Sequence, residues 1–232
     1  MLGKAFEIEL QHFFKGMSLM SWVGHFLALA VFGLLVPLRQ GLDFLDVMFL
    51  LAYACLPCLF AAPLVAESVA SRRIPPPQEG YFSQVLTPVI FALGWLVLIL
   101  ATGFITVNSA SRIPRIVLPP AAVLFNIVAL SVALTLLAGA LTGWLSLNIG
   151  TVKLAKAHSR RLFLLMLVLV LLWARLAPPA WRNFLADRLT AGRISFFVAP
   201  LALVLLLVGV AFLRMGARRR QEEEDGPLLK LV

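Results

Sequence analysis

Two thiols stand three residues apart in Cys55-Leu56-Pro57-Cys58, the spacing that supports thiol–disulfide exchange when one thiol is readily ionised. Here they sit among Leu, Ala and Phe, and there is no second cysteine pair to relay electrons. The residues read as small buried hydrophobes. Of three histidines, only His25 lies within an apolar stretch. A haem held by two imidazoles needs a second one at the same depth, so His25 reads as a packing or hydrogen-bonding residue between helices. The chain has no Gly-x-x-x-x-Gly-Lys-Ser/Thr loop to cradle phosphates, no Gly-x-Ser-x-Gly elbow and no His-Glu-x-x-His zinc motif. No catalytic group, metal or cofactor is expected in this chain, and it is not expected to be an enzyme.

Polar residues inside the apolar stretches are few. Asn126, Ser131, Thr135 and Thr142 form a mild stripe. Such residues glue helices together, and Asn126, Ser131 and Thr135 are also candidates to line a substrate path. No charge falls at the centre of an apolar stretch: Glu67 and Arg175 lie near ends. A proton-coupled carrier needs such a charge.

The elements that hold these residues follow from composition. The 232 residues are 61% hydrophobic and 13% charged, and the mean hydropathy is +0.97. Soluble domains carry about 25% charged residues. One bilayer-crossing helix takes about 20 apolar residues, so six need about 120. That inventory is present, and little remains for a soluble domain. The net charge of +9 reads as basic residues at helix ends meeting anionic lipid, not as a nucleic-acid surface.

Gaps between charges predict six transmembrane helices: Met17–Leu38, Val47–Ala66, about Val85–Val107, about Pro119–Leu145, a short Leu162–Ala177 and Ile194–Leu213. No alternating barrel strands occur, so the fold class is all-α and polytopic. Thirteen Lys and Arg fall on the side of the termini and seven on the other. This bias predicts a multi-pass protein of the cell (inner) membrane with both termini cytoplasmic.

Residues 1–16 are expected to form an amphipathic interfacial helix, with Leu2, Phe6, Leu10 and Phe13 on one face and Lys4, Glu7 and Gln11 elsewhere. The transmembrane domain then spans 17–213, and 214–232 is a charged tail. Pro178-Pro179 ends the fifth helix early, and Trp181, Phe184, Leu185 and Leu189 suit an external interfacial element. Arg218-Arg219-Arg220 reads as a stop-transfer anchor, and the following Glu222–Asp225 as a solvated end.

The loop between the second and third spans carries the most distinctive pattern. It contains Glu67, Arg72-Arg73, Pro75-Pro76-Pro77, Glu79-Gly80-Tyr81-Phe82 and Leu86-Thr87-Pro88, with Gly94 six residues beyond. This pattern resembles the permease subunits of the ABC type-2 exporter family. In that family an acid and arginine close helix two. A Glu-Gly pair and a short apolar coupling helix follow, and a Thr-Pro-like turn with a downstream glycine opens helix three. The triple proline departs from it and would interrupt a continuous coupling helix.

The resemblance implies a transport subunit without ATP chemistry of its own, moving a lipid-like or amphipathic substrate. It would pair with a second copy or a homologue and dock a separate nucleotide-binding ATPase. Arg72, Arg73, Glu79, Gly80, Tyr81 and Phe82 would form the coupling surface, with the two aromatics as anchor and the charges as rim. The rival reading is a non-transporting accessory subunit of a larger respiratory or photosynthetic membrane complex.

Overall fold

The computed structural model describes residues 7, 10–11, 14–15, 17–35, 47–71, 78–110, 121–149, 151–181, 183–184 and 195–229. Every regular element among them is a helix. They are α1 (Leu19–Leu35), α2 (Val47–Ala70), α3 (Gln78–Ala110), α4 (Ala121–Ser146), α5 (Val152–Leu176) and α6 (Ser195–Leu229). The all-α expectation holds, because a backbone in lipid must satisfy its own polar groups.

Four of the six are long and apolar enough to cross a membrane: α2, α3, α4 and α6. The expectation of six spans is met only in part. Helix α1 has 17 residues, about 25 Å at 1.5 Å per residue. In α5 the uncharged run between Arg161 and Arg175 is shorter still, about 20 Å. Both fall below the roughly 30 Å of a hydrocarbon core. Of the predicted interfacial helix only Glu7, Leu10, Gln11, Phe14 and Lys15 are described, each helical; the rest lies outside the described residues. The predicted external element beyond Phe184 also lies outside them.

Helices α2 and α4 pack side by side at the centre. Helix α3 lies against both and carries α1 on its outer side, α5 packs on α2, and α6 packs on α4. Glycine lets these backbones approach. A Cβ at Gly209 of α6 would stand 3.2 Å from the backbone of Leu137 on α4. Gly139 and Gly143 of α4 form a small-x-x-x-small face. A Cβ at Gly139 would meet Val89 of α3 at 2.6 Å, and one at Gly143 would meet Val85 at 2.9 Å.

The first helix widens to a π-helical turn over Leu29–Leu35. Such a turn loosens the regular i→i−4 ladder. Two of its carbonyls are used by neighbours: the Tyr53 hydroxyl of α2 donates to the Phe32 carbonyl, and Thr106 of α3 donates to that of Gly33 at 3.1 Å. Side-chain hydrogen bonds thus fasten α1 to the bundle where backbone bonding is irregular.

The glycine contacts make a stability prediction. Gly209→Ala should lower the thermal midpoint in detergent, costing about 1–3 kcal/mol as an overpacking change. Gly24→Ala, with open space around it, should be neutral or slightly stabilising, because alanine is the better helix former by up to about 1 kcal/mol.

Candidate functional site

The predicted coupling segment lies at the basic end of the bundle, where α2 ends, α3 begins, and α5 and α6 carry their lysines and arginines. Helix α3 starts at Gln78, directly after Pro75–Pro77. The proline rings cannot continue a helix on their N-terminal side, so they set its first residue. From there α3 runs unbroken to Ala110 with Pro88 inside it. Among the described residues no Thr-Pro turn separates Gln78–Gln84 from the span: the two are one continuous helix. Pro88 removes a single helical bond, the one to the Gln84 carbonyl, and the chain tolerates this within a packed bundle.

Tyr81 departs from its expected role. The side chain is fully buried, not presented to a partner. Its phenol lies in a slot between α4 and α6, floored by glycine on both sides. A Cβ at Gly143 would stand 2.9 Å from the hydroxyl, and a Cβ at Gly216 would overlap the ring itself. Val65, Val69, Val85, Leu213 and Ala217 complete the cluster around it. Phe82 is half-buried and packs on the same cluster. Gly80 is buried, and the Ser83 hydroxyl donates to its carbonyl at 2.9 Å. Glu79 lies in the first turn of α3. Arg72 and Arg73 lie outside the described residues. Gly94 has open space where a Cβ would stand, so packing places no demand for glycine there.

Charge gathers round this slot. Arg220 of α6 is buried rather than solvated, and its positive charge acts on the Tyr81 phenol. The tail's first half is therefore not a loose anchor: α6 continues as helix to Leu229. Glu67 at the end of α2 pairs with Lys156 on α5 at 2.6 Å, both partly exposed. A pair so placed contributes at most about 1 kcal/mol, and its use is to register α5 against α2.

The candidate path residues are packed inside. Asn126, Ser131 and Thr135 are each fully buried on α4. Thr135 lies 3.7 Å from the Cys58 sulfur of α2, a contact between the two central helices. Asn126 and Ser131 have no hydrogen-bond partner among the described residues. Cys55 and Cys58 are free thiols. The His25 ring stacks on Phe60 of α2 at 4.2 Å, and Phe91 and Trp95 of α3 flank it at 5.3 Å. Its Nδ1 donates to the Ser21 carbonyl at 2.7 Å. The ring is an aromatic packing element joining three helices.

No family model, curated protein or solved structure matches this chain. The site therefore has to be read from its own geometry. What the linear pattern missed is the slot made by Gly143 and Gly216. Its signals were in the sequence: Gly139-Ala140-Leu141-Thr142-Gly143 is a helix-contact motif, and Gly209 and Gly216 repeat at seven residues on one face.

Two outcomes test this geometry. Tyr81→Ala should destabilise the bundle by about 3–5 kcal/mol, the range for emptying a buried aromatic site, whereas Phe82→Ala should cost clearly less; thermal unfolding in detergent compares them. Replacing Cys55 and Cys58 together by Ala should leave assembly intact at a cost of a few kcal/mol at most. Loss of all activity with normal membrane insertion would instead favour redox chemistry.

Proposed function

We propose that this chain is the membrane-spanning permease subunit of an exporter driven by ATP hydrolysis on a separate nucleotide-binding subunit. It works with a second copy or a homologue, crosses the cell (inner) membrane six times, and keeps both termini in the cytoplasm. The observation that carries the reading is the mechanical continuity of α3, from the segment at Gln78–Ser83 into the centre of the bundle. A coupling element must turn a push at the membrane surface into displacement of spans. Here a displacement of the α3 start bears on α4 and α6 through the Tyr81 phenol in its glycine slot. In this reading Tyr81 is the inner bearing of a lever, and Glu79 and Phe82 with Arg72-Arg73 form the outer contact.

Such a device needs two arrangements of similar energy that the motor biases. Around Tyr81 the contact between α3 and its neighbours is made largely by valine and alanine. The bundle's apolar outer and inner walls favour a lipid-like or amphipathic cargo over an ion, because no charge stands at a span centre.

Affinity purification from native membranes should recover a phosphate-loop ATPase with the chain. Phe82→Ala combined with Glu79→Ala should release that ATPase or uncouple its hydrolysis from transport, with the thermal midpoint little changed. Recovery of redox or pigment proteins in place of an ATPase would favour the accessory-subunit reading. The topology is checked separately. In a background lacking Cys55 and Cys58, a cysteine placed at Gln40 should label with an impermeant reagent from outside, and one at His158 should not.

A further inference from the structure

Helices α4 and α5 both pack on α2 and meet in a small cluster of Cys58, Ala62, Ala138 and Phe163. Beside that contact an open cavity of about 280 Å³ lies between them. Thr142, Ser146 and Ile149 line it from α4 and the turn, and Ala155, His158 and Ser159 from α5. The wall is mostly apolar, but one group in it is unsatisfied. Thr142 is 2% exposed and its hydroxyl has no hydrogen-bond partner. A buried donor left unmade in an apolar setting is costly, and a partner inside the cavity removes the cost. Ser146, one turn further along α4, is equally buried. Ser159 is already engaged, donating to the Ala155 carbonyl at 3.1 Å.

The mouth has a different character. His158 lines the cavity and is exposed, and α5 begins beside it at Val152, where the first N–H groups of a helix have no partner within the helix. No acidic side chain lines the cavity, and the nearby carboxylate of Glu67 is held by Lys156. An apolar wall, the hydroxyls of Thr142 and Ser146, and an exposed imidazole beside a helix start match an acyl chain, its ester oxygens and a negatively charged phosphate.

We propose that the α4–α5 cavity is a binding site for one anionic phospholipid. An acyl chain enters between the helices, Thr142 and Ser146 donate to ester oxygens, and His158 with the start of α5 holds the phosphate. The site does not depend on the transport reading. Its occupant braces α5, which otherwise packs chiefly on α2.

The experiment uses the purified full chain in neutral detergent, with phosphatidylglycerol, phosphatidylcholine or inorganic phosphate added, read by native mass spectrometry and thermal midpoint. Phosphatidylglycerol should be retained and should raise the midpoint more than phosphatidylcholine. Thr142→Val should weaken retention about fivefold, the effect of one neutral hydrogen bond, and Thr142→Ser should restore it. His158→Ala should reduce the preference for the anionic lipid. A photoactivatable phosphatidylglycerol on the unaltered chain should label residues between Thr142 and Leu162, which keeps the test independent of how any variant folds. Equal retention of the two lipids, an equal midpoint rise with inorganic phosphate alone, unchanged retention in Thr142→Val, or labelling confined to other helices would overturn the proposal.

Discussion

The basic half of this bundle depends on one steric fit: a tyrosine ring occupying space that only glycine leaves free. Tyr81 of α3 reaches across Gly143 of α4 to Gly216 of α6, so three helices meet at one side chain. The fit is conditional on both sides. Any Cβ at Gly216 collides with the ring, and a smaller residue at 81 leaves a void that interior packing does not tolerate cheaply. Because lipid supplies no hydrophobic force between helices, such close packing is what holds them in register. The neighbouring approach of Gly209 to the Leu137 backbone extends the same contact along α4 and α6.

Polar groups on one helix are in several places met by side chains of another. The π-helical turn of α1 receives hydroxyls from Tyr53 and Thr106. Thr135 meets the Cys58 thiol between the two central helices. His25 satisfies one nitrogen within its own helix and presents its ring to aromatic faces. Among the described residues the buried groups without a partner are His25 Nε2 on α1, the Tyr81 and Thr87 hydroxyls on α3, and Asn126, Ser131 and Thr142 on α4.

The helical class and the position of the basic end were legible from composition and the gaps between charges, because both are averages over many residues. Span boundaries were less legible. A charge gap locates a stretch that lipid tolerates, but the helix itself extends beyond it: the third span was placed at about Val85–Val107, while α3 begins at Gln78. The site was misread where a single residue's environment decided the matter. Tyr81 beside Phe82 and Glu79 has the composition of a docking anchor, and nothing local distinguishes that from a core residue. The distinction lies in Gly143 and Gly216, about 60 and 135 residues away in sequence, which become partners only once the helices are assembled.

The same distant pairing alters what the aromatic pair accomplishes. Had Tyr81 and Phe82 both faced outward, a partner would grip a surface loop whose movement dissipates before reaching the spans. Tyr81 is turned inward and Phe82 lies at the boundary of the same cluster, so neighbouring residues on one helix differ in burial. The triple proline reinforces this division. In the sequence it directly precedes Gln78, where α3 begins one residue before Glu79. Arg220 adds a charge on the far side of the slot, buried on a helix that continues nine residues further to Leu229. The start of α3 and the base of the terminal helix thus meet at the Tyr81 ring and the cluster around it.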